Sequence, residues 1–135
     1  MELSDATLNL AGILLLSLVT VESGGAFMFR VVRGQQPATA LQTSFFRAGH
    51  AHAGVLLILS LVLQLYVDAT DLSGAVEWIA RTGVPIAALL MPGGFFLSVI
   101  RPGTERPNRL VLMIPAGAVF LAAGLVATGV GLLTA

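Results

Sequence analysis

The chain lacks cysteine and lysine, and it has few charges of either sign. Without cysteine, disulfide bonds, thiolate catalysis and cysteine-ligated metal sites are all excluded. All seven basic residues are arginine, a bias that we attribute to a GC-rich genome rather than to guanidinium chemistry. No basic stretch of the kind that neutralises a nucleic-acid backbone is present, so nucleic acid is not an expected partner.

Charged side chains are so rare that a water-soluble fold is excluded as well. They make up 10% of the 135 residues, whereas 56% of the residues are hydrophobic. A soluble domain of that composition would have too few polar side chains to cover its surface. We therefore expect an integral membrane protein, with residues 1–135 forming one domain.

Four long apolar stretches follow one another along the chain: 8–32, 41–67, 76–100 and 110–133. Each exceeds the ~20 residues that a helix needs to cross the hydrocarbon core of a bilayer. Short polar links separate them, and short links join antiparallel neighbours. The predicted fold class is all-α: a polytopic membrane protein with four transmembrane helices in an up-and-down bundle. Acidic residues precede the first stretch and arginines follow it, so we expect it to remain rather than to be cleaved as a signal peptide.

The arginines predict the orientation of the bundle. Six of them flank the first and third links, and the exception, Arg81, lies near the second. By the positive-inside rule the first and third links are cytoplasmic, so both termini are non-cytoplasmic. Acidic and interfacial aromatic residues gather on that second side: Glu2, Asp5, Asp68, Asp71, Glu77, Tyr66 and Trp78. We expect a multi-pass protein of the bacterial plasma membrane.

Three ionisable residues fall deep inside the predicted helices: Glu22, His50 and His52. At ~1.5 Å per residue they lie roughly 12 to 16 Å from the cytoplasmic ends of their helices, so they share one layer. A charged side chain in hydrocarbon costs at least ~2.5 kcal/mol, so it is expected only where it pairs with another polar group or has a function. We infer a small polar pocket lined by Glu22, by one of the histidines, and by Met91 and Met113.

The spacing of the two histidines restricts how they can act. Residues two apart project about 200° from each other on a helix, so one straight helix cannot offer both imidazoles to one ion. One histidine then faces Glu22 while the other meets a neighbouring copy or the lipid, unless the helix is distorted at Gly49 or Gly54.

Three interpretations of this site stay open. The first is a structural hydrogen bond between Glu22 and a histidine. The second is a haem or transition-metal site, with His50 or His52 as ligand and Glu22 as a further ligand or as the partner that fixes the tautomer. The third is a proton-linked or ion-conducting path, because a histidine beside a buried carboxylate titrates near neutral pH. The pattern assigns no catalytic residue and leaves enzymatic activity undecided.

The segment FFRAGHAHAGV at 45–55 resembles one found in small, uncharacterised four-helix bacterial membrane proteins. ESGG at 22–25 and RPNR at 106–109 stand where such proteins carry similar stretches. More distantly, Arg47 followed by His-x-His at the start of an apolar helix is similar to a haem-ligating helix in the catalytic subunit of haem-copper oxidases and their small relatives.

The oxidase likeness implies only part of an oxidase site. Those enzymes need further histidines on other helices, and this chain has two in all, so a complete oxygen-reducing centre is excluded. The likeness implies a single haem b bound by His50 or His52. Its second ligand would come from Met91, Met113 or a second copy of the chain, or the iron would stay five-coordinate.

We therefore expect an intramembrane His/Glu site that binds haem or a transition metal in a redox or accessory role. The alternatives are a small channel or proton-coupled transporter, and a structural subunit of a membrane complex. Ala123, Ala127 and Gly131 recur every four residues on the fourth helix, a pattern that suits close helix packing. We expect a homo-oligomer or a subunit of a larger membrane complex.

Overall fold

The computed structural model describes residues 2–135, and these form four α-helices joined by short links. The helices are α1 (Asp5–Val32), α2 (Ala40–Val67), α3 (Gly74–Leu97) and α4 (Met113–Thr134), and a 3-10 turn (Arg109–Leu112) leads into α4. All four are long and apolar enough to span a membrane, and no strand occurs between residues 2 and 135. The all-α prediction and the number of helices are confirmed.

Polar residues at the start of the first two helices explain where these helices begin. The Ser4 hydroxyl accepts a hydrogen bond from the Thr7 N–H at 3.2 Å. Thr39 accepts one from the Gln42 N–H at 3.1 Å, while the Gln42 side chain accepts the Thr39 N–H at 3.0 Å. These side chains satisfy N–H groups that have no partner in the first turn of a helix.

Each helix runs antiparallel to the one before it. The start of α1 meets the end of α2, where the Thr7 hydroxyl donates to the Gln64 carbonyl at 3.4 Å. Gln64 in turn contacts Arg81 near the start of α3, and Gly83 faces Gly124 on α4. One end of the bundle therefore holds both termini and the α2–α3 link, and we call it the acidic end. The other holds the α1–α2 and α3–α4 links with six of the arginines, and we call it the arginine end.

Helix α3 is the central helix of the arrangement. It packs along α2 on one side and along α4 on the other, whereas α1 packs mainly against α2. The core between the first three helices is formed by large apolar side chains, among them Leu14, Leu57 and Val84. The helices are thus arranged in chain order, and one side of α1 stays uncovered.

Glycines permit an unusually close contact between α3 and α4. A Cβ atom on Gly83 would lie 2.7 Å from the Phe120 carbonyl oxygen, and one on Gly117 would lie 2.5 Å from a side-chain atom of Met91. Gly124, seven residues after Gly117, is also buried and faces Gly83. Because these positions have no side chain, the backbones of α3 and α4 can approach each other closely, and close approach favours packing between the two helices.

Candidate functional site

The two histidines of α2 face different neighbours, in agreement with their spacing. His50 is half-buried and lies against α1 at a pair of glycines. A Cβ atom on Gly24 would be 3.2 Å from His50 Nδ1, and one on Gly25 would be 3.7 Å from its Nε2. The glycines therefore make the space that the imidazole occupies, and His50 contributes to the contact between α1 and α2.

His52 faces α3, and one of its ring nitrogens contacts a backbone carbonyl. Its ring centroid lies 5.0 Å from that of Phe95, and its Nδ1 lies 2.8 Å from the Ala48 carbonyl oxygen. A carbonyl oxygen can only accept, so Nδ1 carries the proton in the neutral imidazole and Nε2 carries the lone pair. Nε2 makes no hydrogen bond within residues 2–135 and can act as a ligand.

Aromatic packing holds this segment of α2 against α3. Phe45 meets Phe95 edge to face with centroids 5.6 Å apart, and Phe46 stacks on Phe96 at 5.6 Å. A Cβ atom on Gly49 would come within 2.9 Å of the Phe96 ring, so the glycine allows the ring to sit close to the helix. The half-buried imidazole therefore lies beside Phe95 in a closely packed group of aromatic rings.

The structure does not bring the other predicted site residues to the histidines. Glu22 is exposed, and its carboxylate makes no hydrogen bond or ion pair with any residue from 2 to 135. Met91 is buried against Gly117, and the Met113 methyl group lies 3.1 Å from where a Cβ atom on Gly93 would stand. Both methionines thus occupy the interface between α3 and α4. The part of the chain that the structure describes contains no cluster of three or more His, Asp or Glu side chains that could hold a metal ion.

A buried charge network that the sequence pattern did not predict lies at the acidic end. Arg81, which is 3% exposed, contacts Asp68 at 2.7 Å and Glu77 at 2.9 Å, and it donates to the Thr7 hydroxyl at 2.8 Å. Asp68 also accepts the Ser4 N–H at 2.9 Å and the Ser4 hydroxyl at 2.8 Å. The network therefore ties the start of α1 to the end of α2 and to α3.

The environment of Asp68 keeps its carboxyl group charged. Burial alone would raise the pKa of Asp68, but the hydrogen bonds from Arg81 and Ser4 outweigh that effect and hold it well below its usual range. The opposite charges of Asp68 and Arg81 compensate one another, so we interpret the network as structural. We call this network of Ser4, Thr7, Asp68, Glu77 and Arg81 the clasp. The sequence did carry one signal for it, since Glu77 and Arg81 stand four residues apart and can pair on one helix face.

A second buried contact at the acidic end follows from a proline. Pro85 has no N–H group, so the carbonyl of Arg81, four residues earlier, loses its helical donor. The Gln64 side chain, which is fully buried, donates to that carbonyl at 2.9 Å. The amide oxygen of Gln64 has no hydrogen-bond partner among residues 2–135. Gln64 thus replaces the missing backbone bond and leaves one of its own atoms unsatisfied.

Comparisons of the chain with protein families, with curated proteins and with solved structures found no match. Function therefore has to be inferred from the geometry of the chain itself. That geometry offers one imidazole whose ring is oriented by a hydrogen bond, that of His52, and one closed charge network around Arg81.

Proposed function

We propose that the chain is a multi-pass protein of the bacterial plasma membrane, with the arginine end in the cytoplasm and both termini outside it. Large apolar side chains are exposed along the helices, including Leu16 at 73%, Leu89 at 74% and Leu133 at 87%. Such surfaces are unfavourable in water and favourable against lipid. The distribution of arginines between the two ends supports the orientation.

We further propose that α2 binds haem through His52, in a redox or accessory role. The observation that carries this proposal is the 2.8 Å contact between His52 Nδ1 and the Ala48 carbonyl oxygen. A backbone carbonyl bound to one ring nitrogen fixes the tautomer and makes the other nitrogen a better ligand, as is usual for histidines that bind metals. Haem held there would supply one-electron redox chemistry.

The scarcity of ligands favours haem over a bare metal ion. A transition-metal ion usually takes three or four ligands from the protein, and no such cluster lies within residues 2–135. Haem iron receives four nitrogens from its own macrocycle and needs only one or two axial ligands from the protein. One well-oriented histidine is therefore sufficient.

The position of the methionines bears on the second axial ligand. Met91 and Met113 pack between α3 and α4, whereas His52 packs beside Phe95 on the α2 side of α3. A second haem ligand would therefore come from His52 of a second copy rather than from either methionine, and the protein would then be a homodimer. Without a second copy, His52 alone would hold the haem.

A proton path is less well supported by the side chains along α2. Between His52 and Gln64 the buried residues of α2 are three leucines, Leu56, Leu57 and Leu63, and one hydroxyl, Ser60. Every residue between His52 and Ser60 is apolar. An apolar stretch of this kind interrupts any series of hydrogen-bonding groups across the bundle. The residues of α2 that face the core of the bundle thus fit a helix that carries a ligand better than one that conducts protons.

Visible absorption of the detergent-purified protein tests the haem proposal. We expect a Soret band from the wild-type chain, and we expect its loss in His52→Ala. His50→Ala is the matched control, because it removes the other imidazole from the same helix. We expect this variant to keep its Soret band, although it weakens the contact between α1 and α2.

Two results would contradict the proposal. A wild-type protein that remains colourless after expression with ample haem would leave a transport or a structural role. A band lost in His50→Ala but kept in His52→Ala would assign the ligand to the α1-facing histidine.

A further inference from the structure

The link between α3 and α4 borders an open surface cavity of about 430 Å³ at the arginine end. Six polar or basic residues line most of it: Ser98, Arg101, Thr104, Arg106, Asn108 and Arg109. Three of the seven arginines of the chain therefore surround one cavity within nine residues of sequence. We call this cavity the arginine pocket.

The arginines of the arginine pocket form no ion pair within the described part of the chain, although one carboxylate, that of Glu105, stands in the same link. Among residues 2–135, no carboxylate lies within ion-pair distance of Arg101, Arg106 or Arg109, and none of their guanidinium groups donates a hydrogen bond. Arg81 at the opposite end differs, since it contacts two carboxylates. Like charges held close together repel each other, and a bound anion would relieve that repulsion.

Hydrogen bonds hold the link in a fixed shape. The Gln42 side chain donates to the Arg101 carbonyl at 2.9 Å, and the Thr39 hydroxyl donates to the Thr104 carbonyl at 2.7 Å. The backbone N–H of Asn108 donates back to the end of α3 at 2.9 Å. An anion would therefore meet a preorganised site, which does not have to be ordered on binding.

We propose that the arginine pocket binds the phosphate group of an anionic phospholipid. The planar guanidinium group offers paired N–H donors that match two phosphate oxygens, and several arginines together suit a phosphodiester. Apolar side chains next to the pocket are exposed, with Ile100 at 61%, Leu110 at 44% and Leu112 at 66%. These side chains can pack against acyl chains, which favours a lipid headgroup over free phosphate.

Native mass spectrometry of the detergent-purified full chain tests this proposal with phosphatidylglycerol as the probe. We compare the wild type with the triple variant Arg101→Gln, Arg106→Gln and Arg109→Gln. The matched control is the triple variant Arg30→Gln, Arg33→Gln and Arg47→Gln, which removes as many charges from the same end outside the pocket. We expect at least tenfold weaker phosphatidylglycerol binding in the pocket variant and a change within twofold in the control.

Three results would overturn the proposal. One is equal weakening by both triple variants, which would point to the general surface charge. A second is phosphatidylcholine binding as tight as phosphatidylglycerol binding. The third is displacement of the lipid by inorganic phosphate that binds on its own with comparable affinity, which would assign the pocket to free phosphate.

A single substitution keeps the test decisive if the triple variant fails to fold. Arg106 is exposed, so Arg106→Gln should leave the helix content measured by circular dichroism unchanged. We expect this variant to bind phosphatidylglycerol at least threefold more weakly than the wild type. Unchanged binding in the folded single variant would count against the pocket.

Discussion

Gln64 and Pro85 form a pair in which a side chain on one helix replaces a backbone bond lost on the next. A proline inside a helix removes one donor and leaves one carbonyl unpaired, a cost that is high where water is scarce. The Gln64 amide donates to that carbonyl at 2.9 Å. Its own oxygen remains without a partner in the described chain, so the compensation is incomplete.

A double-mutant cycle should reveal the link between these two residues. In the wild-type background we expect Gln64→Leu to lower the free energy of unfolding by about 1 kcal/mol, because the Arg81 carbonyl loses its donor. In a Pro85→Ala background the new N–H group binds that carbonyl, so Gln64→Leu should be neutral or stabilising. Unfolding in mixed micelles with increasing dodecyl sulfate, followed by circular dichroism, measures both effects.

Gln42→Leu serves as the control for this cycle. Gln42 also donates to backbone carbonyls, at 2.9 Å, but at the opposite end of the bundle. Its effect should be equal in the two backgrounds, because distant sites contribute additively. An equal effect of Gln64→Leu in both backgrounds would show that the proline is not the reason for the contact.

Individual residues also mark what the sequence could and could not predict. The spacing of His50 and His52 predicted that they point in different directions, and they do, because helical geometry is local. The partners named for them were not found, since His50 lies against Gly24 and Gly25 and His52 lies beside Phe95. The predicted pocket with Glu22, Met91 and Met113 required knowledge of which face each helix presents to the others. Depth alone, which can be counted along a sequence, does not supply that direction.

At the scale of the helices, the close packing between α3 and α4 is the feature that leaves least room for a larger side chain. We expect Gly83→Ala to lower the free energy of unfolding by about 1 to 3 kcal/mol, because the added Cβ atom has to displace a backbone. Its position would lie 2.7 Å from the Phe120 carbonyl oxygen. The same detergent-based unfolding measurement reports this loss.

Gly129→Ala on α4 is the matched variant for this prediction. No atom lies within 4 Å of the position that its Cβ atom would take. Since alanine favours helix over glycine by up to about 1 kcal/mol, we expect this variant to be as stable as the wild type or more so. Similar losses in both variants would mean that helix propensity, and not the interface, decides the effect.

The helices were predictable from the sequence, but their contact faces were predictable only in part. The predicted stretches correspond to the four observed helices, because a long apolar run has few other ways to satisfy its backbone. Of the predicted small-residue stripe of α4, Gly131 is buried, Ala127 is half-buried and Ala123 is exposed, so only part of the stripe packs within one chain. The buried positions Gly117 and Gly124 stand seven residues apart, a heptad spacing that the four-residue pattern does not contain.

The sequence also carries a faint repeat, in which GGAF at 24–27 matches GGFF at 93–96, and we interpret it as a duplication of one helical hairpin. The glycine pairs at 24–25 and 93–94 each receive side chains from the following helix, His50 at the first pair and Met113 with Ile114 at the second. Both pairs therefore serve the same purpose in their respective hairpins. This likeness is compatible with common ancestry and also with the general need for small residues where helices cross.

For the whole molecule, the separation of charge between the two ends predicts the orientation in the membrane. The chain has no cysteine, so a single introduced thiol can be labelled without background. We expect Ser73→Cys, at the acidic end, to react with a membrane-impermeant maleimide on intact spheroplasts. Glu105→Cys, at the arginine end, should react only after the membrane is permeabilised.

The reverse pattern of labelling would contradict the proposed orientation, and labelling of both positions in intact spheroplasts would contradict a fixed one. Both positions are exposed, so burial within the bundle would not explain a failure to react. The sequence predicted this orientation from the count of arginines near each link. It did not predict that Arg81, the one exception, would be neutralised by neighbouring carboxylates.

The clasp at the acidic end has a consequence for the order of events during synthesis. Ser4 is separated from Asp68 by 64 residues, and Thr7 from Arg81 by 74. A ribosome releases the chain from the amino end, so α1 emerges long before the groups that fasten it. The contact between Ser4 and Asp68 can form once the first hairpin is complete, whereas the contacts of Arg81 need the third helix. A chain truncated before that helix would therefore leave the Asp68 carboxylate without its counter-charge.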